Sequence, residues 1–461
     1  MTILGLAESV VGPLIRALCP DDASLDRDAL AERFARAAWT GIAEPGDRDA
    51  GRLIAVLGAE GAIAAVAATP VPTGETVELG PLLAALAAVG DDSFQPAELA
   101  EAVKRWRSRV SVPTVLLSLR QAARFGVALL VPDDPDWPRS VDELGDHAPH
   151  ALWARGDRTL LGRLSRSIAI VGARAATGYG EHVTVEASAG LVDRGFTIIS
   201  GAAYGIDGIA HRAALASSGS TVAFLAGGVD RFYPAGHEAL LTRIVERGVV
   251  VSEVPCGTAP TRWRFLQRNR LIAAASRATI VVEAGWRSGS LNTASHAAQL
   301  GRPIGAVPGP VTSAASAGCH RLLRDAIAIC VTGPDDMAEL VPFDASHETA
   351  AAILAALAAL AAEHSPETTS GPTSRRTSTP TSTPASFPIS SGIDPTGTRM
   401  RLLDALSERS GRQVGRIAQL SGLAPDRIRA QLGLLELEGI VHQGAAGWQK
   451  FSVKQLDAQR R

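Results

Sequence analysis

Ile168-Ala-Ile-Val171 runs straight into Gly172-Ala-Arg174-Ala-Ala-Thr177-Gly178-Tyr-Gly180, and a helix-forming stretch follows. A short run that is apolar at every position suits a strand covered on both faces, and glycines let the chain turn tightly from such a strand into a helix. Five further apolar runs, at 197–200, 221–225, 249–252, 279–283 and 304–307, alternate with longer Ala- and Leu-rich segments. The pattern predicts an α/β fold over 168–342: a Rossmann-like doubly wound, mostly parallel sheet. A TIM barrel or a flavodoxin-like sheet fits the strand count and glycine placement less well.

On either side of this core the composition changes. Residues 1–110 carry apolar positions at helical spacing, such as Leu30, Phe34, Ala37 and Ala38, and predict an N-terminal helical module. Residues 111–167 read as a connector, with a strand at 127–131 and then Asp-Pro and Trp-Pro turns. Residues 343–398 are an Ala-rich segment followed by a Ser/Thr/Pro linker, and the linker, 365–398, is too poor in apolar groups to offset the entropy of ordering. Within 399–456, a helix ending at Gly422, a turn with Pro425, a helix over 426–438 and a terminal hairpin predict a winged helix.

With 461 residues, 46% hydrophobic and 20% charged, the chain is globular and long enough for two to four domains. Its formal charge of −2 excludes a basic coat over the whole surface, so nucleic-acid binding would need a local patch. The longest apolar stretch, 350–362, is too short for a membrane span, and the start lacks the basic residues of a signal peptide. A soluble, cytoplasmic protein with no membrane partner is expected. Cys19, Cys256, Cys319 and Cys330 have no metal-ligand spacing and read as free thiols.

Four stretches carry candidate chemistry. The amides and dipole of the helix opening near Gly178 suit an anion, and Arg174 adds a planar cation. The spacing is not GxGxxG and no acid is placed to read a ribose, so no dinucleotide cofactor, and no other, is expected. After the second strand, Asp207 reads as the N-cap of the next helix with His211 on its first turn, the alternative being a general base and its partner. The stretch 258–277 holds Arg262, Arg264, Arg268, Arg270 and Arg277 with Trp263 and Phe265 and no Asp or Glu. Salt-dependent phosphate affinity beside stacking rings suits a single nucleic-acid strand. The loop from Glu283 to Ala294 adds Ser288, Gly289 and Ser290 at the sheet edge where doubly wound folds bind ligands.

Gly172-Ala-Arg174, Gly178-Tyr-Gly180, Ser200-Gly-Ala-Ala-Tyr-Gly-Ile-Asp207, Tyr233-Pro234, Ser252-Glu253, Arg268-Asn269-Arg270, Ser288-Gly-Ser-Leu291 and Val307-Pro-Gly309 occur in this order. The series resembles the DNA-processing protein A (DprA/Smf) family. The resemblance implies a dimeric, non-catalytic protein that binds and protects single-stranded DNA and loads a RecA-type recombinase in natural transformation and recombination. It implies an interface of Gly172, Arg174, Thr177, Gly178, Gly180, Gly201, Arg262, Arg264, Phe265, Arg268, Asn269, Arg270, Ser288 and Gly289. Arg174 and the 265/268/269/270 set would be the chief contacts, and Arg262 or Arg264 would stand in for lysines of the family. His320 and Asp325 depart from its pattern. Two other readings compete: a nucleotide phosphoribohydrolase on the same fold, for which Glu283 is the lone acid, and a ligand-sensing transcription regulator.

Overall fold

A computed structural model describes residues 2–19, 25–70, 77–341 and 397–452. The Ala-rich and Ser/Thr/Pro linker reading falls outside the described residues. Six helices come first: α1 (Glu8–Leu18), α2 (Arg27–Ile42), α3 (Arg48–Ala68), α4 (Gly80–Ala88), α5 (Pro96–Arg107) and α6 (Val112–Arg124). Asp26 opens α2 by accepting the Ala29 N–H, and Asp47 does the same for α3 through Asp49 and Ala50. The module closes around Trp39, which meets Trp106 edge-on at 5.3 Å and donates its indole N–H to Ala59 O. α3 is long and apolar enough to span a bilayer, which the reading of the sequence did not anticipate. Its Leu53, Ala62 and Val66 are fully buried in the cluster around Trp39, and it bends at Gly58, where φ is 69°.

The sheet strands are β1 (Ala128–Leu130), β2 (Leu152–Gly156), β3 (Ser167–Val171), β4 (Thr197–Ser200), β5 (Thr221–Phe224), β6 (Val249–Ser252), β7 (Ala278–Val281), β8 (Ile304–Ala306) and β9 (Ile329–Cys330). They pair in the order β9-β8-β7-β3-β4-β5-β6-β2-β1. From β9 to β6 every pair is parallel, with Ile168 opposite both Ile198 and Ala278; β2 and β1 close the edge antiparallel. The segment read as a connector therefore supplies two strands of the sheet.

Alternate residues of β3 explain why its run is apolar throughout. Ile168 and Ile170 pack with Leu191 of α7 (Gly178–Asp193) and with Ile206 and Ala210 of α8 (Ile206–Ala216). Ala169 and Val171 share the other cluster with Leu271 of α10 (Arg262–Ala275) and Leu291 of α11 (Ser290–Gln299). Each such buried Ile or Leu contributes about 1.5–3 kcal/mol of burial. Helix α9 (Glu238–Arg247) covers β5 and β6, while α12 (Ala317–Arg324) and α13 (Pro334–Glu339) finish the β8 side.

The C-terminal module has helices α14 (Thr398–Ala405), α15 (Val414–Ser421) and α16 (Pro425–Leu437), then hairpin β10 (Val441–Gly444) and β11 (Gly447–Lys450). This is the element order of a winged helix. Gly422 ends α15 at φ 63°, a left-handed cap that glycine adopts at little cost.

Candidate nucleic-acid interface

Because β3 to β8 are parallel, the loops that follow them share one rim. The strand order reverses between β3 and β7, and there the loop after β3 meets the loop after β7. Thr177 caps α7 by accepting the Gly180 N–H, while its own N–H (3.0 Å) and hydroxyl both donate to Glu283, which is 1% exposed. A Cβ on Gly180 would collide with that carboxylate, and one on Gly172 with Ile206. The anion expected in this loop is therefore an internal one. Glu283, the acid available to a phosphoribohydrolase, is held at both oxygens by Thr177. Gly178 is open, and Arg174 is exposed beside it.

Helix α10 distributes its arginines to several sides. At about 100° per residue, Arg270 lies roughly 140° around the helix from Phe265. Phe265 faces the rim: the Arg174 guanidinium carbon stands 5.1 Å from its ring centre and Tyr233 packs on it at 5.6 Å. Arg268 lies beneath, 5% exposed, donating to Gly201 O at 2.7 Å and Phe224 O at 2.5 Å, the ends of β4 and β5. Burial pushes its pKa down to about 10, with Asp207 opposing and Arg174 adding to that shift. Arg270 is turned away and pairs with buried Glu253 at 2.6 and 2.7 Å. Asn269 donates to Gly289 O and Asn292 Oδ1, bracing the loop of Ser288 and Gly289.

These placements correct the expected interface. Arg268 is part of its floor, a Cβ on Gly201 would strike that guanidinium, and Arg270 belongs to the seam with the N-terminal module. Arg264 is corrected as well, while the Arg262 side chain is exposed at the start of α10. Arg264 binds Glu44 at 2.9 and 3.2 Å, and the Arg262 N–H at the start of α10 donates to Asp404 of α14 at 2.8 Å. Arg109 also binds Glu44 and donates to Gln419 O, while Arg401 donates to Ser421 O and Gly422 O and lies 5.5 Å over Trp263. Burial would raise the Glu44 pKa; Arg109, Arg264 and Arg401 outweigh it and hold the carboxyl far below the usual carboxylate range. The C-terminal module thus docks around one buried carboxylate, with the Asp404 contact and a Lys104–Asp426 pair beside it.

Glu44→Gln keeps the shape and removes the charge. It is expected to cost about 1–3 kcal/mol of docking and to speed hydrogen exchange in α14 and at the start of α10 while β3 to β7 stay protected. In the parent the charge contributes fully above the unfolded carboxylate pKa near 4.3, and the contribution is lost only as pH falls further.

Asp207 follows the capping residue Gly205 rather than being the cap, and its carboxylate turns back to accept the Gly201 N–H at 3.2 Å. His211 is fully buried and bonds Thr221 Oγ1 at 2.7 Å, so the structure pairs it with a hydroxyl and not with Asp207. His320 bonds Gly309 O and Asp325 pairs with its neighbour Arg324. Among the described residues no cluster of three or more His, Cys, Asp or Glu has metal-site geometry. One exposed cation on this rim was missed from the sequence: Arg287, beside Ser288 and, like Arg174, without an ion-pair partner among the described residues. Its place immediately after Trp286 in the loop following β7 was the available signal.

The family model described as DNA recombination-mediator protein A matches residues 128–342, which hold the whole rim. A putative DNA processing protein DprA of Mycobacterium tuberculosis is 49% identical over 266 residues, 53% of this chain and 68% of that one. Among solved structures, DNA processing protein A of Streptococcus pneumoniae matches at 31% identity and TM-score 0.49, over 57% of this chain and 87% of that one. DNA processing protein A of Helicobacter pylori, described for its unique single-stranded DNA binding mode, matches at 29% identity and TM-score 0.43, over 47% and 95%.

Proposed function

Because the chain belongs to the DNA recombination-mediator protein A family, whose members include the DNA-processing proteins called DprA and Smf, we propose that it binds single-stranded DNA along this rim without cleaving it. The observation that carries the reading is Arg174, exposed, free of carboxylates and stacked on Phe265. A guanidinium supplies phosphate affinity, and the exposed Tyr233 packed on Phe265 beside it offers a stacking face that suits an unpaired base. Arg287, Ser288 and Gly289 continue the phosphate path. The reading extends to a homodimer in the cytoplasm that delivers the strand to a RecA-type recombinase, with the winged helix as a second contact.

Titration of labelled single-stranded and duplex oligonucleotides at several salt concentrations tests it. Single strands are expected to bind more tightly, with affinity falling steeply as salt rises. Arg174→Ala should weaken binding roughly 5- to 10-fold and make the slope of log K against log salt shallower by about 0.7, the loss of one phosphate contact. Equal affinity for duplex, or binding indifferent to salt, would refute the reading.

A further inference from the structure

The chain has three tyrosines in 461 residues, and all three stand on this rim. Tyr179 follows β3, Tyr204 follows β4 and Tyr233 follows β5, strands that are neighbours in the sheet. They are 40%, 49% and 49% exposed, and Trp286, after β7 on the other side of β3, is 55% exposed. No other Trp, Tyr or Phe among the described residues is classed as exposed. Large rings are normally buried, so their confinement to one sheet edge needs a cause.

The rings are also held. Tyr233 packs on Phe265, which carries Arg174 on its other contact. Tyr204 meets His237 at 4.9 Å and 72°, so that Tyr204 and Tyr233 flank the short segment 234–237. Trp286 is backed by the Arg321 guanidinium at 5.1 Å. A ring fixed by a neighbour gives up little freedom when something stacks on its open side. Neighbouring strands lie about 4.8 Å apart, so the four strand ends from β7 to β5 spread these rings over roughly 14 Å.

We propose that Tyr204, Tyr233 and Trp286 are stacking platforms for successive unpaired bases, so that a single strand crosses the β-strands along the rim with its bases on the rings and its phosphates toward Arg174 and Arg287. This rests on the single-strand reading above and adds the part of the nucleic acid that is recognised: the base faces, independently of sequence. Stacking requires no hydrogen-bond readout, and every base has a face to offer.

The full chain is titrated with an oligo-dT and with an abasic phosphodeoxyribose strand of equal length, for the parent and for Tyr204→Ala, Tyr233→Ala and Tyr233→Phe. The parent is expected to bind oligo-dT at least about 10-fold more tightly than the abasic strand. Each Ala variant should lose roughly 5- to 10-fold for oligo-dT and nothing for the abasic strand, while Tyr233→Phe stays near the parent. Equal binding of the two strands, with salt dependence and the Arg174→Ala loss intact, overturns the stacking role and leaves the phosphate groove standing. A preference for oligo-dT that survives both Ala substitutions overturns the assignment to these rings. If neither strand binds in a salt-dependent way, the single-strand reading itself fails.

Discussion

Acidifying the protein from pH 7 to pH 4 is expected to cost about 3 kcal/mol of stability at one residue, His211. The imidazole has no exposure, and its Nδ1 faces Thr221 Oγ1, whose single hydrogen is donated to Ile198 O. Nδ1 must therefore carry the ring proton, and Nε2 is left as a buried acceptor with no partner. Protonating it would bury a charge and an unmatched N–H together. Burial, then the positive charge of His237, Arg268 and Arg212, push its pKa down to about 3. The unfolded chain binds that proton below about pH 6.5, while the folded chain refuses it until about pH 3. The contribution is thus complete above pH 6.5 and falls as pH drops toward the folded value. Denaturant midpoints at pH 7 and pH 4 measure it, with His211→Leu as reference: the variant should lose about 3 kcal/mol less than the parent between the two pH values. Identical losses in the two chains would contradict this account.

Arg268→Ala is expected to destabilise the fold by about 3–5 kcal/mol, because it strips the neighbouring cation from a buried carboxylate. Asp207 is 6% exposed, and burial has already raised its pKa against the pull of Arg268. The carbonyls of Gly201 and Phe224 would lose their donor as well. Arg174→Ala, at an exposed site, should leave stability within about 0.5 kcal/mol of the parent. The two arginines then separate cleanly: Arg268 variants lower the denaturation midpoint and Arg174 variants lower DNA affinity. Adding Asp207→Asn to Arg268→Ala should recover part of the loss, since the stranded charge is gone. An Arg268→Ala chain as stable as the parent would show that the guanidinium is not needed there.

The parallel core was legible because β3 to β8 are buried on both faces and leave largely apolar runs, whereas β9, with both residues exposed, leaves none. The strand 152–156 was not read from the sequence, since in Leu-Trp-Ala-Arg-Gly only the first three residues are buried and the apolar run breaks at Arg155. The basic rim was half legible. Five arginines with no nearby acid in sequence read as a free patch, yet two of them meet carboxylates from far along the chain, Arg270 that of Glu253 from 17 residues away and Arg264 that of Glu44 from 220. Helical rotation, which sends neighbouring residues to different sides, sorted Phe265 toward the rim and Arg264 and Arg270 away from it. Ion pairing at such separations is a property of the fold and leaves no local pattern to read.

The confinement of every tyrosine to one edge of the sheet has a chemical corollary. Phenol-directed reagents, a nitrating or an iodinating agent, find phenol groups only at that edge. Their uptake would serve as a footprint of whatever lies across it.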